Sequence, residues 1–236
     1  MRGALPLTAL LLLGACDSGS HETIHRDFPV TGGFQKIDLA GSTNVVVTVG
    51  GPVSVRAEGD KAAIDRLDIH VDNGGLSIGS KRHDGFVWDF GGGHHHVTVY
   101  VTMPSLAGAS IAGSGDMKID KASGSDFDAS IAGSGDMDIG NLQMTQARFS
   151  ISGSGDIKAN GKAQQANVTI AGSGDFIAGG FEIGNATVSV IGSGDVTARA
   201  TQTADVTVMG SGDVTLSGPA RCNVHKMGSG DAHCGS

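Results

Sequence analysis

Seven aspartates, Asp116, Asp136, Asp156, Asp175, Asp195, Asp213 and Asp231, each close the same tetrapeptide Gly-Ser-Gly-Asp, and the copies follow one another at a nearly constant interval. Carboxylates repeated in this way can do one of two jobs. They can supply oxygen ligands to Ca²⁺, which takes several at once. They can also accept hydrogen bonds from turn N–H groups or from the adjacent Ser hydroxyl, the local role of Asp wherever a chain bends. If the copies stack about 4.8 Å apart, neighbouring carboxylates repel by about 0.9 kcal/mol even at the dielectric of water. Such a column needs compensation, and repetition in every copy favours the hydrogen-bonded turn over the metal.

Three other groups could carry chemistry. His94, His95 and His96 have the side chain that binds Zn²⁺ or Ni²⁺, but adjacent residues of a strand face opposite ways and cannot converge on one ion. They read as a polar entry into the strand V-T-V-Y-V, 97 to 101. Cys222 and Cys234 lie symmetrically before and after Gly228, both on the inward parity. A disulfide there would close a short loop at the end of the core and stabilise by about 3 kcal/mol in the chain-entropy estimate; two free core thiols are the alternative.

Cys16 ends an export signal: Arg2, an apolar run from Ala4 to Leu13 too short to span a bilayer, then small residues. The string Leu13-Gly14-Ala15-Cys16 resembles a bacterial lipobox. That likeness implies cleavage after residue 15, acylation of Cys16 and attachment to a membrane through lipid. It also implies an oxidising compartment, in which a Cys222–Cys234 bridge would persist.

The elements that position these residues follow from parity. Counted back from the first glycine of each of the first six copies, the second position is Ile111, Ile131, Ile151, Ile170, Val190 or Val208, and the third is Ser or Thr. Forward of it on the same parity stand Met117, Met137, Ile157, Phe176, Val196 and Val214. This period-two alternation predicts strand, turn, strand with one face buried throughout. Both glycines fall on the inward parity, at a corner with no room for a Cβ, while the Ser and Asp point out. One coil cannot bury its own face, so the repeat predicts stacked coils. The expected fold is an all-β, single-stranded parallel β-solenoid (β-helix) with about 18–20 residues per coil. Variable stretches such as 141–146 and 218–221 are expected to absorb the length differences in loops.

Upstream, I-D-L-A-G-S-T-N-V-V-V (37–47) keeps the inward parity at Ile37, Leu39, Val45 and Val47, with Thr43 and Asn44 in place of Gly and Asp. It reads as an early coil. A short helix is expected at Lys61 to Leu67, and residues 81–96, which hold the only tryptophan, Trp88, form the long irregular loop. The chain thus divides into a signal peptide (1–15), a lipidated N-terminus and tether (16–27) and a solenoid domain (28–236). The domain is less regular over 28–107 and has seven Gly-Ser-Gly-Asp coils over 108–236.

Composition limits function. With 39 Gly, one Trp and one Tyr among 236 residues, the core must be thin and aromatic platforms for sugars are scarce. A net charge of −8 without a basic stripe argues against a nucleic-acid partner. The repeat differs from the G-x-S-x-G turn of serine hydrolases, and its Ser has no His at a recurring spacing. Its Gly and Asp spacing also differs from the Ca²⁺-binding nonapeptides of RTX solenoids.

The order of F-Q-K-I-D-L, a degenerate G-S coil, I-D-R-L-D-I-H-V, G-G-L-S-I, V-T-V-Y-V-T-M-P-S-L and then G-S-G-D coils resembles the bacterial family described as autotransporter adhesin head, or GIN-type, domains. The resemblance covers most of residues 28–231 and implies a parallel solenoid on exported or lipid-anchored proteins, with no catalytic residues. The expectation is therefore a non-catalytic envelope lipoprotein, on the periplasmic or outer-surface side, presenting a rigid surface for adhesion to a protein or surface glycan. A Ca²⁺-binding solenoid is the alternative, and a polysaccharide-active β-helix enzyme is less favoured. Beyond Ca²⁺, no cofactor is expected.

Overall fold

The structure, a computed structural model, describes residues 23–81 and 97–235. In chain order the strands are β1 (Thr23–Asp27), β2 (Lys36–Gly41), β3 (Asn44–Val49), β4 (Ser54–Asp60), β5 (Leu67–Asp72), β6 (Gly75–Ser80), β7 (Val97–Met103), β8 (Gly108–Gly113), β9 (Met117–Gly133), β10 (Met137–Gly153), β11 (Ile157–Gly172), β12 (Phe176–Gly192), β13 (Val196–Gly210), β14 (Val214–Ser217), β15 (Arg221–Gly228) and β16 (Ala232–Cys234). The one helix among the described residues, α1 (Lys61–Arg66), starts on Asp60, whose carboxylate accepts from Ala62 N and Ala63 N, and it buries Ile64. The fold is the expected parallel β-solenoid.

Each of β9 to β13 runs from one Gly-Ser-Gly-Asp corner to the next and pairs in parallel with the coils on either side. The register stacks Ile111, Ile131, Ile151, Ile170, Val190 and Val208 as direct partners, all buried. Burying one such side chain stabilises by roughly 1.5–3 kcal/mol, and inside the series each touches a like residue above and below. The core is thin, with alanines such as Ala147 and Ala166 stacked in one column. Its aromatic part holds Phe149, whose ring centroid lies 4.7 Å from Phe176 and 5.7 Å from Phe181.

Two expectations are corrected. Residues 23–27, placed in the tether, form β1, antiparallel to β4. Only Ile24 and Arg26 in this strand are half-buried, so its polar sequence hid it; Arg26 is held by an ion pair to Asp65 at 2.5 Å. Next, the stretch 141–146 is strand within β10, and coil lengths are reconciled by register shifts between Ile139 and Leu142, Lys158 and Gly161, and Ala178 and Glu182. A bulge keeps most backbone groups paired, which an open loop would not.

The early coil at 37–47 is present, but the stacking order departs from the chain order. The coil β2-β3 comes first in the chain but lies second in the stack. β2 pairs with β6 on one side and β8 on the other, and β3 with β7 and β9. Beyond β6 and β7 the pairing turns antiparallel, with β5 on β6, β4 on β7 and β1 on β4. This antiparallel layer covers the N-terminal end of the coil stack, which would otherwise present open sheet edges.

Candidate functional site at the glycine-aspartate corner

The seven aspartates form the expected column, and the structure gives their carboxylates a partner. Asp136 N–H donates to Asp116 Oδ1 at 3.0 Å, and the same bond recurs from Asp156 to Asp136, Asp175 to Asp156, Asp195 to Asp175, Asp213 to Asp195 and Asp231 to Asp213 at 2.7–2.9 Å. Each step thus sets one charge-assisted bond, worth about 1.5–3 kcal/mol, against one repulsive pair of about 0.9 kcal/mol. The hydrogen bond wins.

The glycines complete the lock. The carbonyl of Gly113 accepts from Ser134 N at 2.9 Å and Gly135 N at 3.2 Å of the next coil, and Met117 N donates to Asp136 O at 2.8 Å. The first glycine of every copy has positive φ, between 130° and 142°. Its missing Cβ does not answer to a crowded core, as parity suggested. A Cβ on Gly133 would stand 2.1 Å from the Gly113 carbonyl oxygen, and one on Gly135 would stand 2.1 Å from Gly115 O. The main obstruction lies along the stack, where the corner backbones of successive coils touch, and at the second glycine a core side chain adds to it, Ile111 Cγ2 standing 3.1 Å from a Cβ on Gly135.

The column has two distinct ends. Its first member is Asn44, whose Oδ1 accepts from Asp116 N at 3.2 Å, so the amide oxygen of the degenerate coil does what the carboxylate does later. At the other end Asp231 has no further coil above it among the described residues. Lys226 Nζ reaches its Oδ1 at 2.6 Å, and this ammonium, by hydrogen bond first and by charge second, holds the Asp231 carboxyl below its ordinary range. Lys226 is the register partner of Val208, so it occupies the position where earlier coils carry a core Ile or Val. The last coil is also tied by the disulfide Cys222–Cys234, Cα atoms 6.3 Å apart, linking β15 to β16 as expected.

Outside the corner, Ser110, Ser130, Ser150, Thr169, Ser189 and Thr207 register as a second polar column. Ser110 Oγ donates to Asp38 Oδ1 at 2.5 Å at its lower end. Among the described residues, no three His, Cys, Asp or Glu side chains are grouped to hold one metal ion. Cys16, the signal peptide, His94, His95, His96 and Trp88 lie outside the described residues. No helix among the described residues is long and apolar enough to cross a membrane.

One G-x-S-x-G string does occur, Gly75-Leu76-Ser77-Ile78-Gly79. Ser77 faces His70 across β5 and β6, and Asp68 Oδ1 lies 3.4 Å from His70 Nδ1. These are the types of a catalytic triad, yet Ser77 sits inside a strand paired on both edges, not on a strand-to-helix turn. Among the described residues its hydroxyl makes no hydrogen bond to His70, and the surrounding ladders leave no N–H pair for an oxyanion.

The profile of the family described as "Putative auto-transporter adhesin, head GIN domain" matches residues 33–220. The chain belongs to this family. Its GIN domain is similar to the crystal structure of a "putative adhesin" from Bacteroides fragilis, at 26% identity and TM-score 0.80, covering 91% of this chain and 98% of that one. The GIN fold also matches a "putative lipid binding protein" from Parabacteroides distasonis, at 22% identity, TM-score 0.69 and coverage of 92% and 98%. A "putative adhesin" from Parabacteroides merdae matches at 17% identity and TM-score 0.68, covering 92% and 97%. No curated protein sequence matches at a significant level.

The roles of two residues at the ends of the column, Lys226 and Asn44, were not assigned from the sequence. Lys226 was visible as the break in the series Ile111 to Val208, and Asn44 as the substitution for Asp. Each gains meaning only once the carboxylate is known to accept from the next coil.

Proposed function

We propose that the protein is a non-catalytic envelope lipoprotein, attached through Cys16, whose rigid solenoid serves as an adhesion surface for a partner outside the membrane. The observation that carries this reading is the employment of the corner carboxylates: six of them accept a backbone N–H from the next coil and the seventh binds Lys226. Residues so engaged stiffen a surface and are poorly free to move protons. The adhesin names of the similar structures, the B. fragilis protein above all, support the same direction.

The test is adhesion of the processed protein. Beads coated with it are expected to bind surface material, either glycan or protein, above blank beads and above beads carrying heat-denatured protein. Equal binding by all three overturns the reading. A screen of uronate polymers for unsaturated product is expected to stay silent, and a product peak would replace adhesion with catalysis. The anchor fails separately if a Cys16→Ser chain remains processed and membrane-bound.

A further inference from the structure

Away from the corner, a groove of about 570 Å³ crosses β9 to β13 over the middle segment of the coils. Its floor is Met144 and Ala163, direct partners in adjacent coils, with Gly124 next in register and no Cβ to fill the space. One rim stacks Gln143, Lys162 and Glu182, and the other stacks Gln165 and Asn185. The side chains of Gln164, Gln165 and Gln202 make no hydrogen bond among the described residues.

We propose that this groove binds a neutral, extended, linear glycan, lying along the solenoid axis. This deepens the adhesion reading and rests on it. Side-chain amides donate and accept at one site, as paired sugar hydroxyls require, and the Met144 and Ala163 floor suits the C–H face of a pyranose. Periodicity selects the polymer. The rims repeat every coil, about 4.8 Å, whereas same-face residues of an extended peptide recur at about 6.7 Å and fall out of step within two coils. A pyranose in an extended β-linked polysaccharide advances by nearly the coil spacing with alternate rings turned over, so like faces stay in step with every second coil and the five coils hold about four or five sugars. Charge selects neutrality. Lys162 and Glu182 are adjacent on the rim, Glu182 also faces Arg199 at 3.6 Å, and the chain's net −8 repels a polyanion.

The test is calorimetry on the processed protein with cellohexaose, chitohexaose and, as charged comparison, polygalacturonate. At least one neutral hexamer is expected to bind, more tightly than its dimer. The pair Gln165→Ala with Asn185→Ala is expected to weaken binding about tenfold, from about two lost hydrogen bonds. Thr145→Trp, an exposed site in the groove, is expected to abolish binding with an unchanged circular dichroism spectrum. Binding that survives Thr145→Trp, or polygalacturonate as the only ligand, overturns the proposal. So does silence of both hexamers with beads that still adhere, and in that case the adhesion reading stands on another surface. If the beads fail as well, both readings fall.

Discussion

The Asp column can be tested at a single step. Asp175 Oδ1 accepts Asp195 N at 2.8 Å, and Asp175 N in turn donates to Asp156 at 2.9 Å. Replacing Asp175 by Asn removes its charge but keeps an acceptor, as Asn44 does naturally; replacing it by Ala removes both. Each variant relieves repulsion with two neighbours, about 0.9 kcal/mol apiece at the dielectric of water and less in salt. That relief cancels in the comparison of Asn with Ala, leaving the cost of stranding Asp195 N–H. An unmet donor costs about 1–3 kcal/mol, at the low end here because the corner is half-open to water. The Ala variant is therefore expected to be about 1 kcal/mol less stable than the Asn variant. That corresponds to about 2–4 °C in melting temperature for a domain of this size, with about fivefold faster exchange of the Asp195 amide. Asn itself is expected near the parent, since a weaker bond offsets the lost repulsion. Equal stability and exchange in Asn and Ala would refute the intercoil bond as the reason for the aspartates. A large loss in both, matched by a loss on chelation of the parent, would point to Ca²⁺.

Other outcomes follow from the same geometry. Gly174→Ala would put a Cβ 2.1 Å from Gly155 O, so denaturant unfolding is expected to show a loss above about 3 kcal/mol or no folded protein. Gly124→Ala, whose Cβ would meet only Met144 Sδ at 3.9 Å, should be neutral or up to about 1 kcal/mol stabilising in the same assay. Reduction of Cys222–Cys234 should cost about 3 kcal/mol in the chain-entropy estimate, read as selective loss of amide protection in the last coil. The Asp231 carboxyl is lowered by Lys226, so the stability it adds is present above its ordinary pKa of 3.8 and is lost as pH falls through the lower folded value. Acid should therefore fray β15 and β16 first, and Lys226→Met should remove that step. The same substitution takes a charge off the free edge of β15, so concentration-dependent association is expected in sedimentation; a strictly monomeric variant would count against edge protection.

Parity made much of this molecule legible. The inward series from Ile111 to Val208 and from Met117 to Val214 is the buried core, because one face of every strand must leave water whatever the stacking order. What parity could not convey was direction along the axis. It read Gly133 and Gly135 as facing a crowded interior, whereas Gly133 is blocked by the backbone of the coil beneath and Gly135 by that backbone together with the core side chain of Ile111. It read Ile37 to Val47 as an early coil without its neighbours, because hydrophobic alternation is the same whichever coil lies next to it. β1 was missed since an edge strand with one half-buried Ile has almost no pattern to read. The amides over Met144 lay in stretches treated as spacers, and only the register brought Gln143, Lys162 and Glu182 into one row.

The insertion of β2-β3 between strands that come later in the chain has a consequence for how the molecule is made. Each coil after Gly133 needs only the coil immediately before it in the chain, so those coils can add one at a time as short loops close. The strands β2 and β3 are different. Asp38 of β2 meets Ser110 of β8 at a sequence separation of 72, and β3 completes its pairing only when β9 has arrived. A chain delivered N-terminus first must therefore hold its earliest apolar strands without their later partners while everything up to β9 emerges. That makes the first coil the slow, high-contact-order step and the stage most exposed to aggregation, with the repeat zipping quickly behind it.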